Sequence, residues 1–424
     1  MQPTASGALC ADGTPIQTSN GNQLVNQYNG CGAVNAMPFF ETAGGPTVVA
    51  RMPFKPDLVT PDGHVHQLFT ITGRSDAGTC NIDQPDFATA AAEGNLIFRN
   101  TTPFFGGGLL EIIQDSAIIA NMTATLTNPV AMALGISGHP NLNADDGSVN
   151  RFGWKAQKRS LILFAGEAYN VEDGVSNEFF PNELNETPGC TPPFPDGPPN
   201  GNGTHGVPDD RADFAALPTP GYLMPGDPER FSIFGRFLAP PVPSTQLTSP
   251  TCPSSAGPTS SLTACTNGQA QFNSVGCVLC HTTSFPTPPS TVAAVGGQTA
   301  NLYSDILVHD MGVCDADNVT QGSATGDQFR TMPLWGVGQR YFFMHDGRTS
   351  NIIQAIYDHS DYYSQNPPSW LTTEPGYQPP RCTGIGQYPA SEANGVIQNF
   401  QNLVTGTPAQ QQDAQDLIDF LRSL

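Results

Sequence analysis

A chain of 424 residues is long enough for two domains with cores of their own, or for one large domain with long insertions. Its net charge is −21, and lysine occurs only at Lys55, Lys155 and Lys158. Nucleic acid and anionic membrane are therefore poor partners, whereas a basic redox partner or a cationic substrate would be steered in.

Only 12% of residues are charged, while Gly (44) and Pro (40) are abundant; with 38% hydrophobic residues, this predicts turn-rich loops around packed cores rather than disorder. Residues 1–60 carry Asn-Gly, Gly-Gly and Asp-Gly turn signals and little periodicity. The run from His64 to Arg74 alternates as a strand would, with His64 and His66 on one face; two such histidines could bind a metal, but no third ligand lies nearby in sequence.

Thr102-Pro-Phe-Phe-Gly-Gly-Gly108 precedes an apolar run that predicts an amphipathic helix. It lacks the spacing, the preceding strand and the lysine of a nucleotide loop. Within it Glu111, flanked by Leu110 and Ile112, is a candidate general acid/base, against the alternative of a plain helix-surface carboxylate. Asn143, Asp145 and Asp146 form an acidic turn that could hold calcium, although no Glu stands at the twelfth position of an EF-hand loop. The apolar run from Ser160 to Tyr169 predicts a packed helix. Two Pro/Gly/Ser/Thr-rich tracts, 188–210 and 239–268, read as linkers, and the second suggests a division into domains 1–240 and 241–424.

Cys277-Val-Leu-Cys-His281 is a C-x-x-C-H run. Two thiols three residues apart on a helical turn can both form thioethers to one haem, placing His281 under the iron as proximal ligand. A structural zinc site would need a second such pair, and none exists in the chain. A thioredoxin-type site would need a βαβ setting, whereas Ala270 to Val275 reads as a helix with Phe272 and Val275 facing inward. The closing stretch, about Ala409 to Leu424, carries an apolar stripe at Leu417, Ile418, Phe420, Leu421 and Leu424, as does the terminal helix that packs on the haem-bearing helix in small cytochromes c.

For the iron's other face, the candidates are His309, Met311, Met332, Met344, His345 and His359; spacing does not choose among them. His359 falls at the end of an apolar helical run that begins at Ser350. Eight cysteines lie outside the haem motif: Cys10, Cys31, Cys80, Cys190, Cys252, Cys265, Cys314 and Cys382. This even number points to disulfides and an oxidising, periplasmic or extracellular compartment; Cys252–Cys265 is the easiest local pairing, and Cys314–Cys382 a second. No apolar run reaches the roughly 18 residues of a membrane span. No signal peptide opens the chain, at odds with export, so Met1 is not expected to be the residue at which translation starts.

The run from Arg330 to Thr349, RTMPLWGVGQRYFFMHDGRT, resembles the di-haem oxidoreductase family, related to bacterial di-haem cytochrome c peroxidases and MauG-type enzymes. So do FTITGRSD (Phe69 to Asp76), FRNTTPFFGGGLLE (Phe98 to Glu111), RFGWKAQ (Arg151 to Gln157), AGEAYNV (Ala165 to Val171) and LYSDILVHDMG (Leu302 to Gly312).

The resemblance implies a mainly α fold with many long loops and a few short strands. It implies a cytochrome c-like haem domain at the C-terminus and an N-terminal domain related to a first such domain. It makes His359 the distal ligand, His345 and Asp346 the groups that position the haem edge, and Trp335 or Trp154 an aromatic bridge for electrons between haems. Glu111 is the weak positional match to the glutamate that assists peroxide cleavage.

The family's first C-x-x-C-H is missing, and Met1-Gln2-Pro3 resembles residues just past it. The expectation is that a second haem site has been lost upstream of Met1. With both haems the protein would reduce peroxide or a similar oxidant; with one, it is an electron carrier or a structural cytochrome unit.

Overall fold

Short apolar runs between Gly/Pro-rich tracts give short helices joined by long loops. The computed structural model describes residues 38–72, 81–180, 226–254, 261–379, 382 and 388–424, with two further strands, Gln23–Val25 and Val34–Ala36. Eleven α-helices and a few strands of two to four residues occur among them, so the fold is mainly helical. Among the described residues no helix is long and apolar enough to cross a membrane.

The chain divides into two compact units, one comprising Met1–Arg99 and Gly166–Met224, the other Asn100–Ala165 and Pro225–Leu424. In the first, Val48–Arg51 is the central strand of three, between Val65–His66 and Ile97–Asn100. Ala50, Phe87, Ala90 and Leu96 form its core, with Phe40, Leu68 and Phe98 packed around them. The expected strand from His64 to Arg74 is only partly formed. Val65–His66 pairs with Ala50 and Arg51, while Ile71–Thr72 pairs instead with Asn81–Ile82. Asp62 pins the first piece, lying 3.2 Å from His66 Nε2 and accepting from the His64 amide.

The second unit holds the C-x-x-C-H run. Helix Leu262–Val275 leads into it, and helix Pro408–Ser423 crosses that leading helix along its length. The crossing is close because Gly268 has no side chain: a Cβ there would lie 1.9 Å from the Asp416 carbonyl oxygen. Phe272 and Val275 are buried in this core with Leu417, Ile418, Phe420 and Leu421. A second core in the same unit gathers Leu110, Ile113, Ile118, Phe152, Leu161, Leu307 and Trp335.

Cys252 with Cys265, and Cys314 with Cys382, lie at disulfide distance. Cys10, Cys31, Cys80 and Cys190 lie outside the described residues, as do the tract 188–210 and the residues resembling those past a first haem motif.

Candidate functional site

The leading helix starts at Ser261, whose hydroxyl accepts from the Ala264 amide, and stops at Gly276, whose φ of +112° is one that residues with a side chain rarely adopt. The reversal throws the chain into a 3₁₀ turn, Cys277–Leu279, and the His281 amide donates to the Cys277 carbonyl at 2.8 Å. Cys277, Cys280 and His281 therefore share one turn, and the two thiols are not bonded to each other. Burial pushes the Cys277 thiol up to about 12 and raises that of Cys280, so neither is a nucleophilic thiolate at neutral pH.

His281 is held from behind. Its Nδ1 lies 2.8 Å from the Tyr303 carbonyl oxygen, which can only accept, so Nδ1 carries the proton. Burial lowers its pKa to about 4, overriding that hydrogen bond, and the nearby charge of His359 lowers it further. The ring is therefore neutral, with the Nε2 lone pair free, as an iron ligand requires. Phe272 stands 6.2 Å from the imidazole and packs edge-on against Tyr303 and Phe420. Tyr303 and Ile306 take left-handed φ of 52° and 67°, which lets the loop fold back under the turn; the amides of Tyr303, Ser304 and Asp305 donate to Thr283, Thr282 and Cys280.

His359 caps the C-terminal end of helix Ile352–Asp358, whose start Asn351 caps. Its Nδ1 lies 2.6 Å from the Ala355 carbonyl, which again leaves Nε2 free, and it stands near enough to His281 to act on it electrostatically. The other sixth-ligand candidates are engaged differently. His309 has both ring nitrogens on carboxylates, and Met332 Sδ accepts from Arg330. Met344 occupies a left-handed turn, and the Met311 amide donates to the Asp327 carbonyl.

His345 and Asp346 belong to a buried ionic cluster. His345 Nδ1 lies 3.2 Å from Asp315 and its ring stacks on Phe329, while Arg348 pairs with both Asp315 and Asp346. The charges of Arg348 and His345 outweigh the burial of Asp346 and hold its carboxyl below the usual range. Asp358 borders the cluster electrostatically, and burial pushes its carboxyl up to about 7. No described hydrogen bond or ion pair joins His345 or Asp346 directly to the Cys277–His281 turn.

Trp335 is buried against Gly106, where a Cβ would lie 2.2 Å from the indole. It lines a cavity with Phe104, Phe105, Phe152 and Arg330. Trp154 donates from its indole to the Asn100 carbonyl and stands edge-on to His345. Glu111 is clamped, accepting from the Leu161 amide at 2.9 Å and from Arg236 Nε at 2.5 Å. The Asn143–Asp146 turn is closed by its own bonds, and Arg159 pairs with Asp146. Among the described residues no three His, Cys, Asp or Glu side chains are placed to hold a metal ion.

Two features of this site leave little or no trace in the sequence. The Tyr303 carbonyl is backbone and leaves no sequence signal. The buried network of Asp305, His309 and Glu392 has a faint one, Asp and His four apart, but here they lie on an irregular loop and strand rather than a helix face.

A C-x-x-C-H turn whose histidine is neutral, with Nδ1 on a carbonyl, has the make-up of a haem-attachment site. Residues 249–369, a segment that includes the turn and His359, match the family model "Di-haem oxidoreductase, putative peroxidase". Two solved structures are similar at low level. The diheme peroxidase BthA from Burkholderia thailandensis E264 is 15% identical, covering 89% of this chain and 92% of that one, with a TM-score of 0.31. A hydrazine synthase from Kuenenia stuttgartiensis, pressurized with xenon, is 16% identical with a TM-score of 0.21; the match covers 50% of this chain and spans only 60% of the synthase chain. No curated protein matches.

Proposed function

We propose that Cys277 and Cys280 hold haem c as thioethers, with His281 and His359 as its axial ligands, and that this is the electron-transfer centre of an exported di-haem peroxidase-type oxidoreductase. The observation that carries the proposal is the hydrogen bonding of the two imidazoles: each places Nδ1 on a backbone carbonyl and leaves Nε2 free. Bound haem would supply one-electron exchange between ferrous and ferric iron.

The chain's part is to hold both imidazoles by Nδ1 on backbone carbonyls, to keep His281 neutral, and to enclose the site with the Phe272–Tyr303–Phe420 aromatic wall. Reduction of peroxide or a similar oxidant would take place at a second haem site, to which this centre would pass electrons. The net charge of −21 favours a basic redox partner protein or a small cationic donor. The two cysteine pairs at disulfide distance favour a periplasmic or extracellular setting. The single C-x-x-C-H favours a second reading, a one-haem electron carrier.

A pyridine haemochrome assay on the full chain should find covalent haem, and its spectrum should be low-spin bis-histidine. His359→Ala should turn it high-spin or recruit Met344; an unchanged bis-histidine spectrum would show that another residue is the ligand. Peroxide turnover by a chain carrying one haem would exclude the carrier reading.

A further inference from the structure

Beside the haem-attachment turn lies a charged group that electron transfer, as set out above, does not use. His309 is 3% exposed, its Nε2 lies 2.9 Å from Asp305 Oδ2 and its Nδ1 lies 2.7 Å from Glu392 Oε2. Asp305 is 0% and Glu392 8% exposed. A carboxylate can only accept, so both ring nitrogens donate and the imidazole is an imidazolium. Burial works against that charge, while the Asp305 carboxylate and its hydrogen bond favour it, and the imidazole's pKa stands above the ordinary value.

Among the described ion pairs neither carboxylate has another cation. Their remaining described partners are neutral: the Leu307 amide on Asp305, and the Ser137 amide and hydroxyl and the Asp310 amide on Glu392. Gly138 lies against the ring, where a Cβ would meet Cε1 at 2.2 Å.

The triad is joined to the attachment turn twice. The Asp305 amide donates to the Cys280 carbonyl at 2.9 Å, and His309 Nδ1 stands 3.7 Å from Cys280 Sγ. Two carboxylates and one imidazolium leave a single negative charge, sealed from solvent, against the haem's anchoring cysteine. In a low-dielectric interior such a charge is poorly screened and favours the more positive, ferric state.

We propose that Asp305, His309 and Glu392 form a positioning triad whose net negative charge lowers the reduction potential of the haem held at Cys280. The proposal rests on the haem c reading above.

The test is a spectroelectrochemical titration of the haem-loaded full chain at about pH 6, where the imidazolium persists. Glu392→Gln should raise the midpoint potential, and so should Asp305→Asn, which serves if the first variant fails to fold. Ser137→Ala, which removes a neutral hydrogen bond from the same carboxylate, should leave the potential unchanged. Unshifted potentials in both charge variants, with haem attached and the low-spin spectrum retained, would overturn the proposal. So would a shift in Ser137→Ala equal to that in Glu392→Gln, which would mark a purely structural role. Absence of covalent haem from the unaltered protein would instead overturn the function reading, on which the triad's role depends.

Discussion

Replacing Gly268 by Ala tests whether the helix crossing beside the Cys277–His281 turn is sterically closed. In an isolated helix the change should stabilise by about 1 kcal/mol, because glycine carries the larger backbone entropy. Here the new Cβ would meet the Asp416 carbonyl oxygen at 1.9 Å, its carbon at 2.5 Å and the Phe420 Cβ at 2.7 Å. Backbone atoms cannot rotate away, so the helices would have to part by roughly 1.5 Å to restore ordinary contact. That gap would also open the Phe272–Phe420 contact, whose centroids are 5.6 Å apart. Overpacking of this kind costs about 1–3 kcal/mol and should outweigh the propensity gain.

All three tryptophans, Trp154, Trp335 and Trp370, fall in the second unit, so urea unfolding followed by their fluorescence reports on that unit. The midpoint should fall with the slope unchanged. Gly395→Ala is the control: its Cβ meets only the tip of Leu134, at 2.6 Å, which can swing aside. A Gly268→Ala midpoint at or above that of the parent would refute the claim that the crossing is sterically closed.

Glu111→Gln and Arg236→Gln should each lower stability by about 1 kcal/mol, and the double variant by little more than either, because the two groups share one partly exposed ion pair; additive losses would show that the clamp is not a unit. Asp327 is fully buried, and burial lifts its carboxyl pKa despite the hydrogen bond from Thr325. A folded-state pKa above the unfolded one means stability falls as pH rises from the unfolded carboxylate range through the raised value. Asp327→Asn should therefore flatten that fall and gain stability near pH 7 in pH-resolved denaturation, and a steeper fall would contradict the assignment.

Much of the C-terminal unit was legible because its elements follow one strong period each. The stripe through Leu417, Phe420 and Leu424 and the inward Phe272 and Val275 name both sides of the crossing. Gly268 as the point of closest approach was not legible, since a glycine in a helical run reads only as a weak helix former. The interleaving of Asn100–Ala165 with Pro225–Leu424 was equally hidden: composition marks linkers, not which segments meet in space. Glu111 shows the limit for a site residue. An acid among Leu110 and Ile112 reads as poised for chemistry, but only coordinates reveal Arg236, 125 residues away, on its oxygens.

Histidine identity carries even less in sequence, and partner chemistry carries nearly all of it. Four histidines follow the second cysteine, and their partners sort them without reference to spacing. His309 faces two carboxylates, which make it a cation and leave no nitrogen for iron. His345 faces Asp315 within an ionic cluster and gives its ring face to Phe329. His281 and His359 alone among these face neutral backbone carbonyls through Nδ1. A carbonyl orients the ring and fixes the tautomer without adding charge, so the opposite nitrogen keeps its lone pair. Swapping a carbonyl for a carboxylate would turn a ligand into a counter-ion, and the loop strain at Tyr303 and Ile306 is what brings a carbonyl, rather than Asp305, beneath His281.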